Sequence, residues 1–317
     1  MLQAIHDVKL LCLYGGVLLL LAAFTVIGNA LKGKRKTAAS RATIDNLNAR
    51  VSAWWKMFAL FTAAVIVGHV GALVLFGIIS FMAMREYMTL VPTRPSDHLT
   101  LFWGFFVIMP LQYCFIGLHW QGVFAVMIPA LAFTFVPTNI AIEGDTASFL
   151  ERAAKIQFGL MVCVYCLSHM PALLLLKIPG YEGHYARLLL FLVIVDQMSV
   201  VLQYGWGKLI GKNKIAWRVS PNRTWEGLAG GVISATAIGT ALWWATPFTP
   251  LQSAGMSLTI CVFGSAGGLV MSALKRDIGI KDFGLVVERQ GGILDRIDSL
   301  CFAAPIFYYL VWYYFVL

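Results

Sequence analysis

Charged residues are scarce in this chain: Asp, Glu, Lys and Arg make up 12% of its 317 residues, whereas 59% are hydrophobic. An ordinary soluble domain carries roughly 25% charged residues. The composition therefore excludes a water-soluble globule. Because one bilayer crossing uses about 20 residues, about ten crossings leave room only for short loops, and no large soluble domain is expected.

Cysteine is also sparse, and none of the six cysteines lies at zinc-binding spacing from histidine or cysteine in a loop. The one CxxC pattern, Cys163 to Cys166, falls in the middle of the apolar run from Ala154 to Lys177. We therefore expect all six thiols to be buried in the membrane region, without a redox or metal-binding role.

The apolar runs and the basic residues between them predict the membrane topology. The first run, Leu10 to Leu31, is followed by a basic cluster, the reverse of a cleaved signal peptide, and should remain as an anchor. A long run from Val51 to Leu90 is either one span or two spans that turn near Gly68. With two, only Lys9, Lys177 and Arg187 of the 24 basic residues lie outside, in agreement with the positive-inside rule. The remaining apolar runs lie at 100–117, 120–137, 154–177, 186–204, 226–246, 252–274 and 297–316.

These runs predict an all-α integral membrane protein with about ten transmembrane helices, multi-pass in the cell inner membrane, with its polar loops in the cytoplasm. We divide it into an additional anchor and basic linker at 1–49, membrane helices at 50–195, and a catalytic region at 196–317 that carries the polar loops. Segment 37–53 is either an amphipathic helix on the interface or a plain linker.

The second of two polar loops, 272–299, is dense in carboxylates, cations and glycines. Asp295 and Asp298 are three residues apart where the last helix begins, so their side chains share a face. With Asp282 they form an all-oxygen set suited to Mg²⁺. The alternative is that these residues serve in helix capping, with Asp295 completing the helix N-terminus. Gly291 and Gly292 would expose N–H groups to an anion at the same helix start.

The first polar loop, 208–227, carries basic residues and hydroxyls in front of a helix, which suits a polyphosphate. Taken alone, such a loop is more often a positive-inside charge run than a binding site. Asp196, in the middle of the apolar run 186–204, strengthens the functional interpretation, because a carboxylate within the membrane must find a cation, a metal or a proton.

The two loops contain four short motifs: Ser-Pro-x-Arg-Thr-Trp-Glu-Gly from Ser220, Ser-x-Leu-Lys-Arg from Ser272, Lys-Asp-x-Gly from Lys281, and Gly-Gly-x-Leu-Asp-Arg-x-Asp from Gly291. Together they resemble the motifs of the phosphatidate cytidylyltransferase (CDP-diacylglycerol synthase) family, with a specific match over about 196–300. The resemblance implies a membrane enzyme that joins CTP to phosphatidic acid, with Mg²⁺, and releases pyrophosphate. It implies catalytic roles for Lys275, Arg276, Lys281, Asp282, Asp295, Arg296 and Asp298. It implies substrate-binding roles for Asp196, Ser220, Pro221, Arg223, Thr224, Trp225, Glu226, Gln290, Gly291 and Gly292.

The chain departs from the family at Gln290, where the family usually has histidine, and at Glu288, which adds a negative charge nearby. Gln cannot ionise near neutral pH, so a catalytically silent relative is one alternative. Others are a CTP-dependent enzyme acting on another lipid phosphate, a kinase of a lipid alcohol, and a transporter with polar residues such as His169 in mid-span. No nucleic-acid partner is expected, and a homodimer is left open.

Overall fold

The computed structural model of the chain describes residues 7–32, 38–284 and 291–316, with the backbone alone described at 31–32, 38–47 and 49–50. The described residues form an antiparallel β-hairpin, ten longer helices and a short 3₁₀ helix at Trp243–Ala245, which confirms the all-α membrane fold. The helices are α1 (Val8–Lys32), α2 (Ala38–Val67), α3 (His69–Leu90), α4 (Pro95–Gly117), α5 (Gln121–Ile142), α6 (Phe149–Leu173), α7 (Ala186–Ile210), α8 (Trp225–Ala241), α9 (Pro250–Asp277) and α10 (Leu294–Phe315). The hairpin strands are β1 (Lys214–Ala216) and β2 (Ser220–Thr224).

Seven helices in the described part of the chain are long and apolar enough to cross a membrane: α1, α3, α4, α5, α6, α7 and α9. The apolar part of α2, Val51–Val67, is shorter, and α8 has 17 residues. The number of ten spans is therefore not confirmed by length and composition, although a helix occupies each of the predicted apolar runs.

The predicted break in the long second run is confirmed at Gly68, which separates α2 from α3. Its φ of 93° lies in the left-handed region that favours glycine. A Cβ at Gly71 would lie 2.6 Å from the carbonyl oxygen of Ala64, so the chain passes close to itself after the break. Before the break, the backbone of α2 is helical from Ala38 onward, and an irregular linker is not observed there.

The two predicted polar loops lie at the same end of the helix bundle. Arg276, at the end of α9, donates from Nε to the carbonyl oxygen of Val219 in the hairpin turn at 3.2 Å. Contacts at the other ends of the helices join different loops, as Trp312 Nε1 donates to Gln121 Oε1 at 3.2 Å and Tyr181 donates to the carbonyl oxygen of Ala245 at 2.6 Å. The fold therefore separates a polar loop end from an opposite end.

The prediction that every cysteine is buried is wrong for two of them. Cys163, Cys166, Cys261 and Cys301 are buried, but Cys12 and Cys114 are exposed. Each exposed thiol lies on the outward face of its helix, α1 or α4, since a helix in a bundle turns only one side toward its neighbours. All six are free thiols, as expected.

Candidate active site

The intramembrane carboxylate Asp196 is buried within α7 and pairs with neutral groups. Its Oδ2 accepts hydrogen bonds from Ser299 Oγ at 2.7 Å and from Gln197 Nε2 at 3.0 Å. A Cβ at Gly264 of α9 would collide with Asp196 Oδ1, so this glycine leaves the space that the carboxylate occupies. The predicted binding residue is thus placed in the interior between α7, α9 and α10.

Asp298 precedes Ser299 in α10 and interacts with charged residues from several elements. Its Oδ1 accepts from the Ser299 backbone N–H at 2.7 Å. Lys275 and Arg223 interact with it as opposite charges, and Asp295 as a like charge. Asp196 also interacts electrostatically with Asp298. Residues from α7, α9, α10 and β2 therefore converge on one polar region at the loop end of the bundle.

Asp295 is fully engaged by the protein itself. Its Oδ1 accepts from Lys275 Nζ at 2.7 Å, and its Oδ2 accepts from the backbone N–H groups of Phe283 and Gly292 at 2.8 and 3.0 Å. The Lys275 and Asp295 side chains are only 13% and 8% exposed. This geometry corresponds to the capping alternative, in which Asp295 completes the helix N-terminus.

Glu86 of α3 completes the start of α10 and was missed by the sequence reasoning as a site residue. Its two carboxylate oxygens each accept one hydrogen bond, from the N–H groups of Ile293 and Leu294, both at 3.0 Å. The Gly292 N–H donates to Asp295, so of the two glycine donors expected to face an anion, this one is instead bound by a carboxylate of the protein. The signal available in the sequence was an acidic residue near the end of an apolar run.

Gly291 nevertheless needs to be glycine. Its φ is 85°, and a Cβ there would lie 2.6 Å from Asp295 Oδ2. Gly292 packs equally closely on Glu86. The close approach that the two glycines permit serves the carboxylates of the protein in this structure.

Arg223 of β2 is the cation of the first loop that reaches the interior. Its Nη1 donates to the carbonyl oxygen of Ser265 at 2.9 Å, and a Cβ at Gly268 would lie 2.5 Å from Nη2. Gly264 and Gly268 lie one turn apart on α9. Their missing side chains leave room for two charged residues of the site, Asp196 at Gly264 and Arg223 at Gly268. Small residues on this helix serve close packing of functional side chains.

The other predicted residues of this loop hold its shape. Thr224 caps α8 by accepting from the Gly227 N–H at 3.1 Å. Glu226 accepts from the backbone N–H groups of Lys212 and Asn213, each at 3.1 Å, and so fixes the turn between α7 and β1. Both residues therefore organise the loop around Arg223.

The remaining predicted residues lie around this centre or outside the described chain. Arg276 binds backbone carbonyls of Val219 and Ile280. Lys281 and Asp282 are exposed, and Arg296 is half-buried on α10. Ser220 is half-buried, whereas Pro221 and Trp225 are exposed. Gln290 and Glu288 lie outside the described residues.

A chain of neutral polar groups extends the site along α7, and this was also missed. Gln203 Nε2 donates to Ser199 Oγ and to Ser265 Oγ, both at 2.7 Å. Ser199 and Gln203 follow Asp196 at helical spacing and share its face, a pattern visible in the sequence. Through Ser265, whose carbonyl oxygen accepts from Arg223, these polar groups reach the first loop.

The predicted Mg²⁺ ligands are not gathered into one cluster. In the part of the chain that the structure describes, no three acidic, histidine or cysteine side chains are placed to hold a metal ion. Asp295 is engaged by Lys275, and Asp282 is exposed. Asp196 and Asp298 are instead joined through Ser299, whose hydroxyl donates to Asp196 and whose backbone N–H donates to Asp298.

The sequence model of the cytidylyltransferase family matches residues 48–314. The chain belongs to this family. It is accordingly a membrane nucleotidyltransferase, and membership of an enzyme family removes the transporter alternative. Residues before position 48 lie outside the match.

Among curated relatives, the chain is 38% identical over 270 residues to "Uncharacterized protein YnbB" of Escherichia coli (strain K12), covering 83% of this chain and 87% of the relative. It is 29% identical over 262 residues to the phosphatidate cytidylyltransferase of Bacillus subtilis (strain 168), covering 80% and 93%. The phosphatidate cytidylyltransferase of Staphylococcus saprophyticus is 33% identical over 197 residues, or 58% of this chain and 74% of the relative.

Proposed function

We propose that the protein transfers the cytidylyl group of CTP to phosphatidic acid, giving CDP-diacylglycerol and pyrophosphate. The observation that carries the proposal is the convergence of Asp196, Asp298, Arg223 and Lys275 at the loop end of the bundle. That place suits a reaction between a water-soluble nucleotide and the phosphate of a membrane lipid. Membership of the cytidylyltransferase family supports the same reaction class.

The chemistry needs little from a general base. A phosphatidate phosphomonoester has a second pKa of about 6, so it is mostly dianionic near pH 7. One of its oxygens attacks the α-phosphorus of CTP, the new P–O bond forms, and the bond from that phosphorus to the oxygen bridging to the β-phosphorus breaks. Pyrophosphate leaves with that oxygen. The task of the protein is to bring two anions together and to neutralise their charge.

Arg223 and the exposed Lys281 are the side chains we assign to the phosphates, because Lys275 already shares its charge with Asp295. Backbone donors at the start of α10 are occupied by Glu86, so charge neutralisation falls to side chains and to a metal ion. A glycine-rich phosphate loop, by contrast, binds phosphate through its backbone N–H groups.

Mg²⁺ is part of the proposal, with Asp298 and the neighbouring Asp196 as the ligands of this chain. Mg²⁺ is commonly bound through one or two carboxylates, with substrate phosphates and water supplying the other oxygens, and this pair fits that chemistry. The ion would polarise and neutralise the nucleotide phosphates. Asp295 would position Lys275 and the second polar loop, and Asp282 would stay exposed at the surface of that loop.

The lipid partner and the membrane are proposed from the same arrangement. A diacyl lipid would enter sideways from the inner leaflet, with its phosphate near Arg223 and its chains between helices. The polar loop end would then face the cytoplasm, where CTP is available, and the membrane would be the cell inner membrane. The excess of basic residues in the loops supports this orientation.

A second candidate is the same transfer to another lipid phosphate, because the relative that is 38% identical has no named substrate. Purified protein in lipid nanodiscs with labelled CTP, Mg²⁺ and a panel of lipid phosphates and lipid alcohols tests both. We expect labelled nucleotide-lipid with phosphatidic acid. Formation with a different lipid phosphate alone would support the second candidate, and no product with any lipid would indicate a catalytically silent relative.

A further inference from the structure

Glu86, which belongs to none of the loop motifs, joins α3 to the start of α10. It lies on α3, 207 residues before Ile293 and 208 before Leu294, and only 8% of the residue is exposed. Its carboxylate accepts from both backbone N–H groups at the start of α10. A buried carboxylate is costly unless it is hydrogen-bonded, and here each oxygen has a donor.

Glu86 also packs against the chain on both sides of 285–290. A Cβ at Gly284 would lie 2.9 Å from Glu86 Oε1, and a Cβ at Gly292 would collide with Oε2. Asp295 contacts the same two chain segments, because it accepts hydrogen bonds from the N–H groups of Phe283 and Gly292. The two carboxylates therefore hold the segment Phe283–Gly284, which follows α9, against the beginning of α10.

This position has an electrostatic consequence. A helix N-terminus carries a partial positive charge and unpaired N–H groups, which attract phosphate. In this protein a fixed carboxylate occupies that place at α10, one turn before Asp298. Phosphate groups are thus kept from the helix start, and the first turn, which leads to Asp298, is held in one position.

We infer that Glu86 is a positioning residue for nucleotide transfer, which acts through the first turn of α10 by fixing Asp298 and by closing the helix start to free phosphate. The kinetic part of this inference rests on the proposed function. The contact itself is independent of that function.

The test compares Glu86→Ala, Glu86→Gln and Glu86→Asp with the native protein and with Tyr87→Phe. Tyr87 is the matched control, because it is the buried neighbour on α3 and its hydroxyl donates to the carbonyl oxygen of Lys155 of α6 at 3.1 Å, away from α10. Three quantities are measured on purified protein: backbone hydrogen exchange in 291–300, kcat and KM for CTP and lipid, and inhibition by inorganic phosphate.

We expect Glu86→Ala to increase exchange at Ile293 and Leu294, to lower kcat at least tenfold with a smaller change in KM, and to strengthen inhibition by phosphate. Glu86→Gln keeps one acceptor oxygen but turns an amide donor toward the second N–H, so it should also fail. Glu86→Asp keeps the charge and should recover part of kcat. Tyr87→Phe should leave exchange in 291–300 and phosphate inhibition unchanged.

Unchanged exchange and unchanged kcat in Glu86→Ala would overturn the inference. A second outcome would also overturn the inference: Glu86→Ala and Tyr87→Phe lose activity equally, and phosphate inhibits Glu86→Ala no more than the native protein. Glu86 would then contribute only to folding. If the native protein transfers no nucleotide, the proposed function fails. The exchange measurement then still decides whether Glu86 holds the start of α10.

Discussion

Ser299 Oγ donates a 2.7 Å hydrogen bond to Asp196 Oδ2 and so joins α10 to α7 across 103 residues of sequence. The backbone N–H of the same serine binds Asp298 Oδ1 at 2.7 Å. One residue thus connects the buried carboxylate of α7 with the carboxylate near the start of α10. This connection gives the two acidic groups a shared place in the proposed site.

Replacing either carboxylate by its amide is expected to abolish most transfer. Asp298→Asn and Asp196→Asn should each lower kcat at least a hundredfold, since a neutral amide is a poor ligand for Mg²⁺. That loss corresponds to about 2.7 kcal/mol in the barrier. Asp277→Asn, an exposed carboxylate at the same end of the bundle, is the control and should retain activity. Near-native rates in both Asp196 and Asp298 variants, with folding intact, would show that neither binds the metal.

The Lys275–Asp295 pair is expected to contribute to stability as well as to activity. Both side chains are mostly buried, so removal of one partner leaves an unpaired charge, at a cost of about 3 kcal/mol. Lys275→Gln and Asp295→Asn should each lower the thermal unfolding temperature, and the double variant should be more stable than the two separate losses predict. Measured unfolding temperatures that add independently would contradict a direct interaction.

Several features of the fold follow from local sequence. Gly68 interrupts a run too long for one span, as predicted. The two polar loops lie at one end of the bundle, where Arg276 contacts Val219. The break at Gly68 and the shared end of the two loops could be predicted because chain direction and span length are local properties; the side of the membrane that the loops face stays a prediction.

The partners of the acidic residues could not be predicted in this way. Asp196 was expected to meet a cation, a metal or a proton, but its protein partners are Ser299 and Gln197. Glu86 reaches α10 only because α3 packs beside it. Such contacts depend on the rotation and packing of helices far apart in the chain, which the spacing within one motif does not contain.

The attachment of α1 is expected to depend on pH through Asp7. Burial raises the pKa of Asp7, but hydrogen bonds from Arg187, Leu10 and His184 outweigh this effect and hold the pKa below its usual 3.8. A carboxyl group with a lowered pKa contributes its full stabilisation above the unfolded value and loses it as the pH falls through the folded value. The contribution should therefore be constant from pH 7 to about pH 5 and decrease only in more acidic solution.

Thermal unfolding of the native protein and Asp7→Asn between pH 3 and 7 checks this expectation. At neutral pH the native protein should unfold at a higher temperature than Asp7→Asn, and the difference between the two unfolding temperatures should shrink toward pH 3. Glu182→Gln, an exposed acid in the same region, is the control. A difference that widens as the pH falls would contradict the assigned role of Asp7.

The orientation of the bundle can be tested by labelling engineered cysteines with a reagent that does not cross membranes. Lys212 lies at the polar loop end and Glu182 at the opposite end, and both are exposed. After replacement of the exposed Cys12 and Cys114 by alanine, Glu182→Cys should be labelled in intact spheroplasts and Lys212→Cys only after lysis. Labelling of position 212 from outside would reverse the proposed topology.

The most direct test of the account follows the phosphates of CTP. Purified protein is incubated with Mg²⁺, phosphatidic acid and CTP labelled on either the α- or the γ-phosphate, with Asp298→Asn as the blank. The account predicts that the α-label appears in the lipid product and the γ-label in pyrophosphate. Transfer of the γ-label to lipid, or no α-label in any lipid phosphate supplied, would contradict it.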